Sequence, residues 1–415
     1  MTKSLSGTAF CCGAGFRIGT LVFMAAVVFA GCTPRSISVS EEEALSLELR
    51  VVSSFSGTDG NRAAFEQAYR DWEVSTGNKV IDESQTSDES WKAKVVADFE
   101  TGSEPGVLFF FTGVDAASFI EAGKVVSLDE IQAVYPGYGS NMSAGKLSGA
   151  ASTVDNNVYV IPTSGYWEGL FANTAVLAEC GVELPGSDTS WDEFLAICQK
   201  ILDAGYVPIA CSLQQIPHYW FEFCIMNSGG SGSHLEVPRS ETDAAFNAWA
   251  EGLSDIRELY RRGFLSPNTL SASDDEIFQA MYDGEAAFAL DGSWKTNQII
   301  HNVPADRIGD YTVTFVPAKG PRRATDLVGG LSMGYYITRK AWNNPAMREA
   351  AVSFVQAMTT DEVINTMAAG TAQTALADPA PKPDGLNSLQ EAAFEMMQKA
   401  TSVTPAVQDF IKPEA

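Results

Sequence analysis

The sequence predicts two α/β lobes. Three observations carry that reading. Strand-like apolar runs alternate with amphipathic helical segments from Leu47 almost to the C-terminus, the pattern of strands layered with helices. One run, "GVLFFF" at 106–111, is wholly apolar and suits a strand buried on both faces, as in parallel sheets. At 415 residues and 45% hydrophobic, the chain favours two bodies with their own cores over one oversized sheet.

Each element has a local reason. "LELRVVSSF" reads as a strand. "GNRAAFEQAYRDWEVSTG" puts Phe65, Tyr69 and Trp72 on one helical face and stops at Gly77. "ESWKAKVVADFETG" repeats the device with Trp91, Val95 and Phe99, and "AASFIEAG" is a shorter helix ending on Gly123. A second series starts near 157. "NVYVIPTSGYWEGLFAN" holds two strand-like pieces. "SWDEFLAICQKILDAG" is a helix whose Ser190 and Glu193 can form a capping box, with Phe194, Ile197, Cys198 and Ile201 on its apolar face. "YVPIACSL" is a strand. "AAFNAWAEGLSDIRELYRRG" is a long helix with Phe246, Trp249, Leu253, Ile256 and Tyr260 expected inward. "GGLSMGYYIT" reads as one strand after a Gly-rich turn, "PAMREAAVSFVQAMT" as a helix. A Pro-rich turn, "ADPAPKPDG", precedes the last helix, "LQEAAFEMMQKAT".

The N-terminus is processing signal rather than fold. Lys3 and Arg17 precede an apolar stretch, Ile18 to Ala30, and then "FAGC". The stretch falls short of the ~20 residues a membrane span needs. Cys32 directly after Ala30-Gly31 resembles a bacterial lipobox. That implies a signal peptide over 1–31, cleavage before Cys32, and lipid on its thiol and new amine, which anchors well when several chains act together. An ordinary secreted protein or an uncleaved anchor stays open. Each reading puts the folded part outside the cytoplasm. Residues 32–46 read as the anchored cysteine and a flexible tether.

Charge and motifs exclude more than they include. There are 27 Lys+Arg against 52 Asp+Glu, formally −25. Nucleic acid is therefore not an expected partner, because phosphate binding needs clustered cations. The acidity reads as a solvated surface and leaves room for a cationic ligand. His218, His234 and His301 sit in no ligand spacing, so no metal is expected. No P-loop occurs, and the one G-x-S-x-G string, Gly330 to Gly334, lies within the strand-like "GGLSMGYYIT" and not at a strand-to-helix turn. Neither a cofactor nor catalysis is expected. Cys180, Cys198, Cys211 and Cys224 remain after Cys11, Cys12 and Cys32 are set aside. Free thiols are favoured over disulfides, since a core this large needs no staples, but the compartment permits pairing. Arg322 and Arg323 in "GPRRAT" read as a solvated turn.

The informative features are aromatic residues at element ends. Tyr166-Trp167-Glu168 follows "VIPTSG", His218-Tyr219-Trp220-Phe221 follows "LQQIP", and Trp294 follows "LDGS". Core aromatics usually sit mid-element. In open α/β sheets, ligands lie beyond the carboxyl ends of strands. An indole or phenol plate with polar neighbours suits a sugar, whose C–H face packs on the ring while its hydroxyls pair with carboxylates and amides. Each unpaired buried hydroxyl would cost about 1–3 kcal/mol.

The chain resembles the extracellular solute-binding proteins of bacterial ABC transporters, in the sugar-binding group that includes maltose-binding protein. "MYDGEAAFALDGSW" is similar to the family's M-x-x-G-x-A-A-M-x-x-x-G-x-W, with Phe288 where Met is common. "YWEGLFANTAVLAECGVELP" followed by "SWDEFL" resembles its strand, asparagine, Gly-Val, Pro and T-W-x-E segment, and "GGLSMGYYIT" its return strand. One departure is "GSEPGV", where Gly106 replaces the family's usual aspartate.

The resemblance implies a periplasmic-binding-protein-like fold with a hinge and an interlobe cleft. It assigns 47–156 plus 328–370 to the N-terminal lobe and 157–327 plus 371–415 to the C-terminal lobe. Its implied ligand-binding residues are Trp294 as a stacking plate, Tyr166, Trp167, His218, Tyr219, Thr58, Asp59, Asp115, and Gly329 and Gly330 in the loop opening the return strand. It implies a non-enzymatic substrate-binding lipoprotein, expected as a monomer in the cell envelope. The protein would capture a sugar or oligosaccharide and deliver it to an ABC permease with its ATPase subunits. The alternatives are the same fold binding a polyamine or peptide, and a secreted glycosidase.

Overall fold

The computed structural model describes residues 46–57, 59–214, 218–369 and 371–411. The signal segment, Cys32, most of the tether and Thr58 lie outside the described residues.

Eleven strands form two sheets among these residues. The first has the order β2-β1-β3-β10-β4, from Glu48–Val52 (β1), Lys79–Asp82 (β2), Val107–Phe111 (β3), Ile161–Pro162 (β4) and Met333–Ile337 (β10). β1 runs parallel to β2 and β3, while β10 is antiparallel to β3 and β4. The second has the order β11-β9-β5-β7-β6, from Tyr166–Asn173 (β5), Val207–Ala210 (β6), Ala286–Gly292 (β7), Asp326–Gly330 (β9) and Ser402–Thr404 (β11). Tyr311–Thr314 (β8) pairs the far half of β5, beyond the two residues that pair β9. As expected of "GVLFFF", β3 lies inside its sheet, with Val107 to Phe110 buried.

The chain changes sheet three times. It crosses between Pro162 and Tyr166, again between Gly330 and Met333, and again through the Pro-rich segment. On that last passage Leu376 packs with the first core and Leu389 with the second. "GGLSMGYYIT" is thus not one strand. Its glycines end β9 in one sheet, and β10 starts in the other, with Leu331 and Ser332 between.

Most helical expectations hold for stated reasons. The helix Arg62–Thr76 ends at Gly77, whose φ of 75° is the left-handed cap that glycine adopts freely. The helix Trp191–Asp203 opens on the Ser190–Glu193 capping box and buries Phe194, Cys198 and Ile201. Gly106 has a packing reason: a Cβ there would lie 2.6 Å from Leu49 Cδ1. The four cysteines are free.

Two expectations are corrected. The helix Phe246–Arg261 turns a different face inward: Gly252, Asp255 and Leu259 are buried, whereas Leu253 is 59% and Tyr260 48% exposed. Gly252 decides this. Its missing side chain lets the helix close on His218–Gly229, where a Cβ would meet the Ile225 backbone nitrogen at 3.0 Å. Arg322 is no solvated turn residue. It is 3% exposed, donates to Asn227 Oδ1 at 2.8 Å and to the Val316 and Pro317 carbonyls at 3.1 and 2.6 Å, and lies over the Phe223 ring. Burial draws its pKa down to about 10.

Candidate functional site

β5 sorts its residues by the two-residue period of a strand. Leu170 and Ala172 belong to the core of Phe194, Trp220 and Phe288, and Tyr166 packs against that same core. Trp167 and Phe171 point the opposite way, into the core of Ile277, Phe278 and Met396. Tyr166 and Trp167 therefore cannot both face one ligand. Trp167 is fully buried, stacks on Phe171, and donates its indole N–H to the Thr371 carbonyl at 2.7 Å. The expectation that it walls a ligand gap does not fit this placement; it anchors a chain crossing.

The other aromatic candidates do converge. Tyr166 is the first residue of β5, His218 the first of the helix His218–Gly229, and Trp294 the first of the helix Trp294–Asn302. Starting an element points each ring off an end rather than into a layer. Trp294 lies 6.2 Å from Tyr166 and 6.2 Å from Tyr219, centroid to centroid, and His218 packs edge-on against Tyr219 at 4.5 Å. The sequence context "DGSW" acquires its meaning here. The indole folds back across Gly292, where any Cβ would stand 2.1 Å from Trp294 Cη2. Two shallow surface depressions of about 240 Å³ lie elsewhere, one among Ser254, Arg257 and Arg261, the other near Asn141 and Asp361.

The rings sit where the two sheets' loops meet. Val114, after β3 of the first sheet, donates its N–H to the Asp409 carbonyl at 3.2 Å. A Cβ on Gly113 would lie 2.5 Å from that same oxygen, and one on Gly60 would collide with Asn297 of the Trp294 helix. The gap between the sheets is closed in this structure. Asp409 is itself tied to the second sheet's side: the Ala406 N–H donates to the Tyr166 hydroxyl at 3.1 Å, and the Val407 N–H to Glu222 Oε1 at 3.2 Å.

The remaining candidates scatter around this junction. Asp59 accepts from the Asn61 N–H at 2.8 Å beside Gly60, and burial raises its pKa to about 6. Asp115 pairs with Lys92 at 3.3 Å. Gly329 and Gly330 lie in β9, not in a loop, opposite Trp167 and Tyr166. Gly329 has no room for a side chain, since a Cβ would meet the Tyr166 carbonyl at 2.5 Å.

Sequence reasoning missed the carboxylates. Glu168 is fully buried on the Tyr166 face, opposite Gly292, and neither of its oxygens has a hydrogen-bond partner among the described residues. Glu222 is fully buried, with Oε2 lacking a hydrogen-bond donor among the described residues and 3.7 Å from His234 Nε2. Burial, and for Glu168 the neighbouring Glu222, Asp291 and Asp409, push both glutamates well above the usual carboxylate range. Burial also raises Asp409 to about 7, helped by Asp115 and opposed by Lys92. His218 Nε2 has no hydrogen-bond partner among the described residues, and burial with Lys92 nearby lowers the ring's pKa to about 4. A signal existed for each glutamate: single charges in "YWEGLFAN" and "WFEFCIMN", otherwise apolar, are expensive unless the group is used. Among the described residues no cluster of His, Cys, Asp or Glu is arranged to hold a metal ion, and no helix is long and apolar enough to cross a membrane.

Two sheets joined by crossing segments, with rings and buried carboxylates where their loops meet, define a two-lobe binding protein. The chain belongs to the bacterial extracellular solute-binding protein family, which matches residues 57–364. Among solved structures, it resembles a chitin oligosaccharide binding protein with a TM-score of 0.75 at 22% identity, over 89% of this chain and 91% of that one. The solute-binding protein RafE in complex with raffinose aligns with a TM-score of 0.66 at 17% identity, over 89% and 92%. The GacH receptor of Streptomyces glaucescens, solved unliganded and with acarbose, aligns with a TM-score of 0.65 at 18% identity, over 86% and 84%. No curated protein matches the chain in sequence. The protein is thus a solute-binding protein.

Proposed function

We propose that the solute is a sugar or oligosaccharide, held between the lobes and handed to an ABC permease, with Cys32 carrying the lipid that keeps the protein at the outer face of the membrane. Trp294, Tyr166 and Tyr219 serve as the stacking plates, with His218, Asp59 and Asp115 at the rim. The lobes divide at the sheet crossings, 163–165 and 331–332, and in the Pro-rich segment. The observation that carries the reading is the convergence of three rings from the starts of three elements beside Glu168, whose oxygens meet no donor among the described residues. Apolar plates flanked by hydrogen-bond acceptors match a pyranose face and its hydroxyls. The solved relatives named for chitin oligosaccharide, raffinose and acarbose support the same class. Binding opens and shuts the gap, which excludes water and completes the polar contacts. No chemistry follows, and the sugar leaves unchanged.

A thermal-shift screen against a sugar panel, with polyamines and peptides as controls, tests this. A true ligand at 100 times its dissociation constant stabilises by about 2.7 kcal/mol. Stabilisation by peptides alone, or turnover of a bound glycoside by pure protein, rules the reading out.

A further inference from the structure

The carboxylates ask for more than hydroxyl donors. Glu168 and Glu222 are both fully buried, and three of their four oxygens have no hydrogen-bond donor among the described residues: both of Glu168, and Oε2 of Glu222, which stands 3.7 Å from His234 Nε2 while that nitrogen donates to the Pro405 carbonyl at 2.9 Å. The charges acting on Glu168 are Glu222, Asp291 and Asp409, all of its own sign. The nearby lysines are already committed. Lys92 sits between Glu89 at 3.0 Å and Asp115 at 3.3 Å, and Lys295 between Asp274 at 2.7 Å and Asp291 at 3.6 Å. A neutral hydroxyl would satisfy a lone pair but bring no charge to set against two buried carboxylates, and buried charges are normally paired. The Tyr166, Tyr219 and Trp294 rings add a second, independent pull toward a cation, since the faces of such rings attract ammonium groups. A metal ion fits poorly, because among the described residues no set of ligands is gathered for one.

We propose that the solute carries a protonated amine, as an amine-bearing saccharide does, and that the Glu168 and Glu222 carboxylates receive that ammonium beneath the Trp294, Tyr166 and Tyr219 rings. This rests on the sugar reading and narrows it. The sugar ring lies against the indole, and its ammonium reaches down to Glu168, donating to oxygens that have no donor among the described residues. The incoming charge takes the place of protons that burial otherwise favours on these glutamates.

The test is calorimetric titration of the purified chain at pH 6.5. The probes are matched amine, acetamide and hydroxyl saccharides in the glucose and galactose series, as single sugars and short oligomers, with spermidine as a non-sugar amine. The expected result is an amine saccharide bound at least about tenfold more tightly than its acetamide and hydroxyl counterparts. Glu168→Gln should reduce that preference below about threefold, and Glu222→Gln is a second variant should the first fold poorly. Equal or tighter binding of the neutral counterparts overturns the amine proposal and leaves the sugar reading standing. Binding of spermidine with no saccharide overturns both the sugar reading and the amine-bearing saccharide. Silence across the whole panel likewise overturns both.

Discussion

Trp294 lies directly over Gly292, two residues back, in a position that any side chain at 292 would occupy. The glycine therefore aims the indole. Without it, the first ring of the helix Trp294–Asn302 could not turn back toward Tyr166 and Tyr219. Gly292→Ala should leave the fold intact, because the far edge of the indole can swing away while β7 keeps its pairing. The displaced ring should weaken sugar binding about tenfold and shift the tryptophan emission. Unchanged affinity in that variant would remove the ring from the site.

Trp294 and Trp167 separate binding from stability. Trp294→Ala should lower sugar affinity by at least about 1 kcal/mol, from lost aromatic contact, with little change in the unfolding midpoint. Trp167→Ala should do the reverse. It empties a fully buried site and frees the Thr371 carbonyl, for which about 3–5 kcal/mol of stability is the usual loss. Urea titrations and ligand titrations of the two variants should therefore fall on opposite axes.

Asp409 ties acidity to the closed arrangement. Its folded pKa of about 7 stands above its ordinary 3.8. Between those values the folded state keeps a proton that the unfolded chain has lost, so stability from this group falls as pH rises through that window. His218, lowered to about 4, works against it, because stability rises with pH between about 4 and 6.5 as the unfolded chain gives up its proton. Comparing Asp409→Asn with the natural chain cancels the histidine. The variant should gain stability relative to the natural chain from pH 4.5 to pH 8, by about 1.4 kcal/mol or more, the equivalent of one pK unit. A parallel pair of stability curves across that range would deny Asp409 its raised pKa.

Periodicity made much of this architecture readable. Alternating strands and helices, the Ser190 capping box and the buried run at β3 are local features, and each appears where its residues demand. That Tyr166, His218 and Trp294 lie at element ends was legible too, but the helices His218–Gly229 and Trp294–Asn302 that two of them begin were not. What the pattern could not resolve was which side of an element meets what. Tyr166 and Trp167 both border a turn, yet strand geometry sends them to opposite cores. "GGLSMGYYIT" looks continuous because apolar residues line both β9 and β10, and only pairing partners divide it. Glu168 was visible as a charge, but its importance depends on Glu222 and Asp409, 54 and 241 residues further along the chain. Arg322 looked like part of a basic turn until the carbonyls of Val316 and Pro317 surrounded it.

The helix Phe246–Arg261 turns that lesson into a test. Apolar spacing nominates Leu253 as core, whereas close packing nominates Gly252. A Cβ at 252 would press on the Ile225 backbone at 3.0 Å, and backbone cannot give as a side-chain tip can. Gly252→Val should therefore destabilise by about 1–3 kcal/mol, the usual cost of overpacking. It should also weaken ligand binding, because the helix it pushes, His218–Gly229, carries His218, Tyr219 and Glu222. Leu253→Glu, one residue on and 59% exposed, should change stability by no more than about 0.5 kcal/mol. Thermal unfolding of the two variants checks both expectations, and a large loss from Leu253→Glu with none from Gly252→Val would return the helix to the face its apolar residues suggest.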